Sequence, residues 1–175
     1  GIFQFGIALI KNYESPFYDN IFSFPEDKSL MNNSVLGIFV DSSGDLWIGT
    51  DGGGLIKYSS KNKVYKQFKY IPNVNSIASN VVRAIYEDRN NQIWIGTYKG
   101  GLSKLDESTG KFTNYYFDKT LKNHLDVDDV VGFLEDRNGN FWIASCGNGL
   151  FKYNKEDDGF ENFFPRDQRF KTSIC

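Results

Sequence analysis

The stretch Asp41–Thr50, with the sequence DSSGDLWIGT, decides how this chain folds. A closely similar stretch, DRNNQIWIGT, occupies residues 88–97, and a third, DRNGNFWIAS, occupies residues 136–145. All three tryptophans of the chain lie in these stretches, which we call the tryptophan boxes. A sequence that repeats with a period of about 50 residues indicates an architecture built from repeated structural units.

The residues that flank the boxes repeat with the same spacing. Six residues before each box aspartate stands a valine, and seven residues after each tryptophan stands a glycine that opens an apolar pair. An aromatic residue follows fourteen residues after that glycine, at Phe68, Tyr115 and Phe163. The tryptophans are 47 and 48 residues apart, and the extra residue lies between the aromatic and the next valine. Length variation confined to one connection marks one face of a repeat protein, often the binding face.

Each unit contains four short apolar or β-branched segments. In the first unit they span residues 35–40, 46–50, 55–58 and 64–68, and their composition is typical of β-strands. Turn residues separate them, because Asp41 can accept a hydrogen bond from a backbone N–H two residues on and Gly44 can adopt positive φ. Four short antiparallel strands, repeated along the chain, predict an all-β fold composed of β-propeller blades.

The repeated residues have a structural role in this interpretation. A large aromatic side chain buries on the order of 150–250 Å², which is worth about 4–6 kcal/mol as an upper bound. We therefore expect the tryptophans to form the core between blades and the aspartates and glycines to shape turns. These structural positions are Trp47, Trp94, Trp142, Asp41, Asp88, Asp136, Gly54, Gly101 and Gly149.

The pattern resembles a known family, the two-component regulator propeller repeat. The resemblance rests on the aspartate–turn–Trp-Ile-Gly-Thr boxes, the following Gly-Leu pairs, and the Asn/Ser-rich linkers at residues 27–35 and 73–81. It covers residues 25–165. Such repeats build extracytoplasmic sensor domains of bacterial hybrid two-component regulators, so the resemblance implies a periplasmic module that signals to a histidine kinase elsewhere in its polypeptide.

The repeat divides the chain into five segments. Residues 1–24 resemble the end of a degenerate blade, and blades follow at residues 25–71, 72–118 and 119–165. Residues 166–175 form a linker toward a further blade. Closed propellers have about four to eight blades, so this arrangement predicts a piece of a larger propeller or a chain that closes by self-association.

Composition excludes several classes of function. The net charge of −2 leaves no basic surface for nucleic acid. No apolar run is long enough to span a membrane, so we expect membrane attachment only through segments outside these residues. The N-terminal residues lack the pattern of a signal peptide.

The turns between the second and third segments are the candidate ligand site, since they share a face with the variable linker. Their residues differ between units while the neighbouring residues stay the same. The candidate ligand-binding residues are Asp51, Tyr98, Lys99 and Asn148, together with the linker residue Tyr70. The resemblance implies a carbohydrate, such as an oligosaccharide, as the ligand.

Catalysis and cofactors find little support in the sequence. His124 is the single histidine, so no histidine-based metal cluster or triad can form within this chain. The segment 126–129 is acidic but lacks the glycine and final glutamate of a calcium loop. We expect no catalytic residue, no metal and no cofactor. The spacing of Cys146 and Cys175 suggests no disulfide framework and favours free thiols, although an even number of cysteines in an extracytoplasmic protein also permits a disulfide.

Three functions remain open at this point. The favoured hypothesis is a carbohydrate-sensing module of a hybrid two-component protein. The alternative is a propeller scaffold for dimerisation or protein–protein contacts that binds no small molecule. A propeller enzyme ranks last, because the first strands show no pattern of inward acids.

Overall fold

The computed structural model describes residues 34–116 and 129–164. They form twelve strands in three separate four-stranded antiparallel sheets, each with its strands in sequence order. The predicted all-β blade architecture is therefore confirmed for each tryptophan box. The expected partial blade at residues 1–24 and the expected linker at 166–175 lie outside the described residues. No helix in the described part of the chain could cross a membrane.

The strands of the three sheets occupy equivalent positions in the repeat. The first sheet contains β1 (Val35–Val40), β2 (Leu46–Thr50), β3 (Leu55–Ser59) and β4 (Val64–Phe68). The second sheet contains β5 (Val82–Glu87), β6 (Ile93–Thr97), β7 (Leu102–Asp106) and β8 (Lys111–Tyr115). The third sheet contains β9 (Val130–Glu135), β10 (Phe141–Ser145), β11 (Gly149–Asn154) and β12 (Gly159–Phe164). Three of the four strands predicted for the first unit have the predicted bounds, and β3 is one residue longer.

The box aspartate organises the turn between the first two strands of each sheet. In the first sheet, one carboxylate oxygen of Asp41 accepts hydrogen bonds from the backbone N–H groups of Ser43 and Asp45, at 3.0 and 2.8 Å. The other oxygen accepts the indole N–H of Trp47 at 2.8 Å. A buried indole needs such an acceptor, so the aspartate fixes the turn and the tryptophan together.

The second and third sheets repeat this arrangement. Asp88 accepts the indole N–H of Trp94 at 3.1 Å, and Asp136 accepts that of Trp142 at 3.0 Å. Hydrogen bonds from the Asn140 and Trp142 side chains lower the pKa of Asp136 below its usual value. The repeated spacing of aspartate and tryptophan therefore reflects one hydrogen-bonded unit, used three times.

Trp47 and Trp94 each pack onto the sheet that follows them in the chain. Trp47 is fully buried in a cluster with Val82, Ile85 and Ile93 of the second sheet. Trp94 is 1% exposed and lies in a cluster with Val130 and Phe141 of the third sheet. These two interfaces hold the apolar core of the described residues.

Trp142 differs from the other two tryptophans because it is only partly buried. It lies on the face of the third sheet that points away from the second sheet. The centre of its ring lies 5.0 Å from the centre of the Phe163 ring. Leu134, its neighbour on β9, is 60% exposed. The third sheet therefore presents an open face where the first and second sheets are covered.

A column of small residues controls how closely the sheets approach. A Cβ added to Gly49 would lie 2.7 Å from the carbonyl oxygen of Val82. One added to Gly96 would lie 2.7 Å from Cγ1 of Val130. Ala144 takes this position in the third box, on the open face. Glycine therefore occurs at this position in the two sheets whose tryptophan face is covered by a following first strand.

Candidate functional site

The turns after β2 and β6 and the starts of the first strands meet at one end of the sheets. The N–H of Asp51 donates to the carbonyl of Ser34 at 2.8 Å, and that of Tyr98 donates to Val81 at 2.9 Å. Asp51 also forms a β-bridge with Val81, which joins the first sheet to the second. The two hydrogen bonds fix each turn within its own blade, and the bridge holds Asp51 against the adjacent blade.

A threonine or serine hydroxyl stabilises each of these turns. Thr50 donates to the carbonyl of Gly54 at 2.8 Å, Thr97 donates to Gly101 at 2.9 Å, and Ser145 donates to Gly149 at 3.1 Å. The accepting glycines all have positive φ, between 72° and 94°, a conformation that glycine adopts at little cost. The last residue of each box is therefore a threonine or serine for a structural reason, because its hydroxyl group holds the turn on its sheet.

An open groove of about 440 Å³ lies at this end of the sheets. Three of its lining residues, Leu36, Arg83 and Val131, occupy the same repeat position on β1, β5 and β9. The others are Asp51, Val81 and Tyr98. The groove thus combines an apolar wall with a carboxylate, a guanidinium and a phenol ring. Sites for small ligands commonly have a volume of about 300–1,000 Å³ and this mixture of groups.

Arg83 is the central charged residue of the groove. Its guanidinium carbon lies 4.7 Å from the centre of the Tyr98 ring, and Nη1 lies 2.9 Å from Oδ2 of Asp129, which immediately precedes β9. A guanidinium over a phenol ring is a favourable cation–π contact. Arg83 therefore joins a turn of the second sheet to the entry of the third sheet.

The carboxylate of Asp129 is the second group with unusual electrostatics. Burial raises the pKa of this carboxyl above its ordinary value, and the charge of Arg83 opposes that rise only in part. Its Oδ1 atom is buried and has no hydrogen-bond partner among the described residues. A buried oxygen without a donor is costly, so Asp129 carries unused capacity to accept a hydrogen bond.

The structure brings two of the five candidate ligand-binding residues, Asp51 and Tyr98, into this groove. Lys99 adjoins it, with Nζ 5.1 Å from the Tyr98 ring centre, and its φ of 57° holds it in a left-handed turn. Asn148 lies in the equivalent turn of the third sheet, where its carbonyl accepts a hydrogen bond from Asn162 at 3.4 Å. Tyr70 is 45% exposed in the linker after β4 and does not line the groove.

Arg83, Asp129, Leu36 and Val131 also belong to the groove or its rim, and sequence reasoning missed them. A signal for Arg83 was present, because it is the one charged residue at a repeat position that holds leucine or valine in the other two units. Asp129 offered no such signal, because it was attributed to an acidic linker. His124 and residues 126–128 of that linker lie outside the described residues.

The expectation of a free thiol at Cys146 is wrong. Cys146 is disulfide-bonded in the structure, and its N–H donates to the carbonyl of Asp129 at 2.9 Å. Spacing along the sequence failed here because disulfide pairing depends on distance in the fold. Cys175, the other cysteine of the chain, lies outside the described residues.

Comparison with solved structures gives matches to extracellular domains of bacterial signalling proteins. The extracellular domain of BT4673 from B. thetaiotaomicron, described as a one component or hybrid two component system, is 28% identical with a TM-score of 0.58. That match covers 72% of this chain and 17% of the other. The extracellular domain of the hybrid two component system BT3049 from the same organism is 23% identical, with a TM-score of 0.51, and covers 77% and 24%.

Enzymes with the same fold also match, at lower identity. Virginiamycin B lyase from Staphylococcus aureus is 15% identical, with a TM-score of 0.55, over 77% of this chain and 42% of the lyase. At this identity the similarity concerns the fold alone. No curated protein matches the chain. As the coverages show, the chain spans less than half the length of each of the solved structures named above.

A family model identifies the repeat itself. The two component regulator propeller model matches residues 29–52, 76–99 and 124–147. Each match ends just after the second strand of a sheet and includes one tryptophan box. This confirms the resemblance drawn from the boxes. The chain therefore carries three repeats that match the two component regulator propeller family.

Proposed function

We propose that this chain is part of the ligand-sensing propeller of a hybrid two-component signalling protein, and that its groove binds a carbohydrate outside the cytoplasmic membrane. The repeat family and the extracellular domains that it resembles support the sensor role. The disulfide at Cys146 supports an oxidising compartment such as the periplasm. On this proposal the chain is non-catalytic, and kinase activity belongs to another part of the polypeptide.

The proposal rests mainly on the groove, which is lined by residues of all three blades. Its residues come from the first strands of all three sheets and from two turns. Tyr98 offers a flat ring for a sugar face, while Asp51 and Arg83 offer an acceptor and several donors for hydroxyl groups. Asp129 adds a buried acceptor beside Arg83.

The position of the groove also suggests how binding produces a signal. A ligand that contacts Leu36, Arg83 and Val131 touches three blades at once. It stabilises one relative placement of these blades by its differential affinity for that state. The resulting change in packing is what a kinase elsewhere in the polypeptide would detect.

The direct test is calorimetric titration of the purified chain with a panel of neutral and acidic oligosaccharides. For a sugar that binds, Y98A and R83M should each weaken binding at least tenfold, since aromatic and Arg anchors at a site often contribute more than about 1.4 kcal/mol. Y116A is the matched control, because Tyr116 is 50% exposed and lies outside the groove.

The candidate residue Tyr70, which lies outside the groove, lets the same experiment test where the sugar binds. If Y70A weakens binding while Y98A leaves it unchanged, the sugar occupies the linker and the groove assignment is wrong. If no sugar of the panel binds to the folded chain, the sensing proposal loses its support.

The alternative is a propeller scaffold for dimerisation or protein contacts that binds no small molecule. The exposed apolar row on β1, where Leu36, Ile38 and Val40 are 40%, 63% and 59% exposed, favours it. Sedimentation of the wild-type chain and of I38K distinguishes the two functions. A dimer that I38K dissociates, in a chain that binds no sugar, would support the scaffold.

A further inference from the structure

The two covered interfaces share a recognition pattern on the outer strands. In the first sheet, Nζ of Lys57 lies 4.8 Å from the Trp47 ring centre and 2.6 Å from Oε1 of Glu107. In the second sheet, Nζ of Lys104 lies 5.4 Å from the Trp94 ring centre and 3.2 Å from Oδ1 of Asp158. Both acids lie between the third and fourth strands of the following sheet. Each interface therefore pairs a lysine above a tryptophan with a carboxylate from the next blade.

A second carboxylate of the next blade completes the pattern near the first strands. The N–H of Ser42 donates to Oε2 of Glu87 at 2.6 Å, and the N–H of Arg89 donates to Oε2 of Glu135 at 2.9 Å. Ser42 and Arg89 each follow a box aspartate, and both glutamates end the first strand of the following sheet. The following blade thus brings two carboxylates to the blade before it.

The open face of the third sheet repeats the donors of this pattern. Lys152 lies over Trp142, 6.0 Å from the ring centre, and Arg137 follows the box aspartate and is exposed. Within residues 34–116 and 129–164, neither Lys152 nor Arg137 forms an ion pair. Leu134 and Trp142 provide the apolar part of the same face.

We propose that this open face docks a further blade of the same repeat that carries two carboxylates. One is a glutamate at the end of its first strand, facing Arg137. The other is an acid in its outer hairpin turn, facing Lys152. Charge complementarity between adjacent blades thus selects which blade can follow the third sheet, because an unmatched charge in the interface costs free energy.

A second copy of this chain does not meet that requirement when it presents its first sheet. Val40 takes the position of Glu87 and Glu135, and Ser60 and Lys63 take the positions of Glu107 and Asp158 in the outer hairpin turn. Head-to-tail pairing would place Lys63 near Lys152. The two ends of the three-blade array are therefore not complementary to each other.

Ala144 adds a steric requirement to the docking face. It stands where Gly49 and Gly96 allow Val82 and Val130 of the next sheet to approach closely. A second copy would bring Val35 to this position. The occupant therefore carries a residue smaller than valine there, or its first strand lies farther from β10.

The test converts the first sheet of this chain into an occupant of the docking face. V40E and S60E together install carboxylates at the positions of Glu87 and Glu107. The double variant should associate head to tail at least about tenfold more tightly than the wild-type chain, as expected for close charge pairs at an interface. Sedimentation measures the mass, and acrylamide quenching measures shielding of Trp142, since Trp47 and Trp94 are already 0% and 1% exposed.

Three further variants make the result specific. Adding R137E and K152E to the double variant should abolish the association, and adding A144G should tighten it. V40Q/S60Q is the uncharged matched control and should behave as the wild-type chain does. Circular dichroism checks that each variant is folded. If V40E/S60E does not fold, K63D, which installs one carboxylate at the position of Asp158, replaces it.

The outcomes separate the explanations. Equal shielding of Trp142 in the wild-type chain and in V40E/S60E would show that the face accepts a second copy without carboxylates, which overturns the proposal. The proposal also fails if the folded acidic variant gains no association, or if the gain survives R137E and K152E.

Discussion

The second and third sheets have nearly the same sequence pattern but different surroundings. Trp94 of the second sheet is 1% exposed between two sheets, whereas Trp142 of the third is only partly buried. Both indoles donate to a box aspartate, at 3.1 and 3.0 Å. The local hydrogen-bonded unit is therefore the same in both sheets, and the difference in burial comes from the neighbouring blade. A repeat specifies its own turn, but its stability depends on the next repeat.

The largest expected effect tests this difference in burial directly. W94A should lower the free energy of unfolding by about 3–5 kcal/mol, because it leaves a cavity between two sheets. W142A, the matched variant, should cost about 1 kcal/mol, since its ring already contacts solvent. Urea denaturation of both variants measures the two values. Equal losses would mean that the open face of the third sheet is covered in solution.

The next effect concerns the spacing between sheets. G96A should destabilise the chain by about 1–3 kcal/mol, because its methyl group would meet Val130 in a packed interface. G132A is the control, since its Cβ would have its nearest contact at 3.8 Å, with Ala144. Its cost should stay within about 0.5 kcal/mol. If thermal unfolding gives both variants the same midpoint, close approach of the second and third sheets is not what limits this position.

A smaller effect should distinguish the two ion pairs between blades. Asp158 accepts hydrogen bonds from the hydroxyls of Tyr115, at 2.7 Å, and Tyr153, in addition to Lys104. Glu107 pairs with Lys57 on the exposed rim. D158N should therefore cost about 1 kcal/mol after allowance for its partial exposure. E107Q should cost about 0.5 kcal/mol or less. Chemical denaturation at low and high salt checks both values, and the reverse order would contradict this account.

The smallest effect is a pH dependence in the outer turn of the second sheet. Hydrogen bonds from the Ser108 and Thr109 hydroxyls lower the pKa of Asp106 from 3.8 to about 2. Because the folded pKa is depressed, the stabilisation is present above about pH 4 and is lost as the pH falls toward about 2. D106N should lose less stability than the wild-type chain over that interval. NMR titration of the carboxyl carbon measures the pKa, and a value near 3.8 would refute the prediction.

Much of the fold could be predicted because each blade is specified by local residues. The turn at Asp41, the positive φ of Gly44 and the strand bounds of the first unit all follow from turn chemistry and β-propensity within one repeat. The same spacing in all three copies also supports the strand assignment more strongly than a single motif would. Strands and turns were therefore predictable almost to the residue.

The candidate site was predictable only in part. The variable turns identified Asp51 and Tyr98, because the residues at these turn positions differ between the units while the neighbouring residues stay the same. Arg83 and Asp129 were missed, since their ion pair joins residues 46 positions apart in two different blades. The disulfide at Cys146 was missed for the same reason. Contacts between blades depend on the distance between sheets, which no spacing within one repeat contains.

The order of residues alone established the repeat, the four strands of each blade and the aspartate turns, because these interactions join residues close together in the chain. Packing of one sheet against the next decided the rest: which tryptophans are buried, where glycine is required and which carboxylates meet a lysine. The same box gives Trp94 a dry interface and Trp142 an open face. The physical reason is that burial and charge pairing belong to pairs of blades, whereas the sequence of each repeat describes one blade at a time.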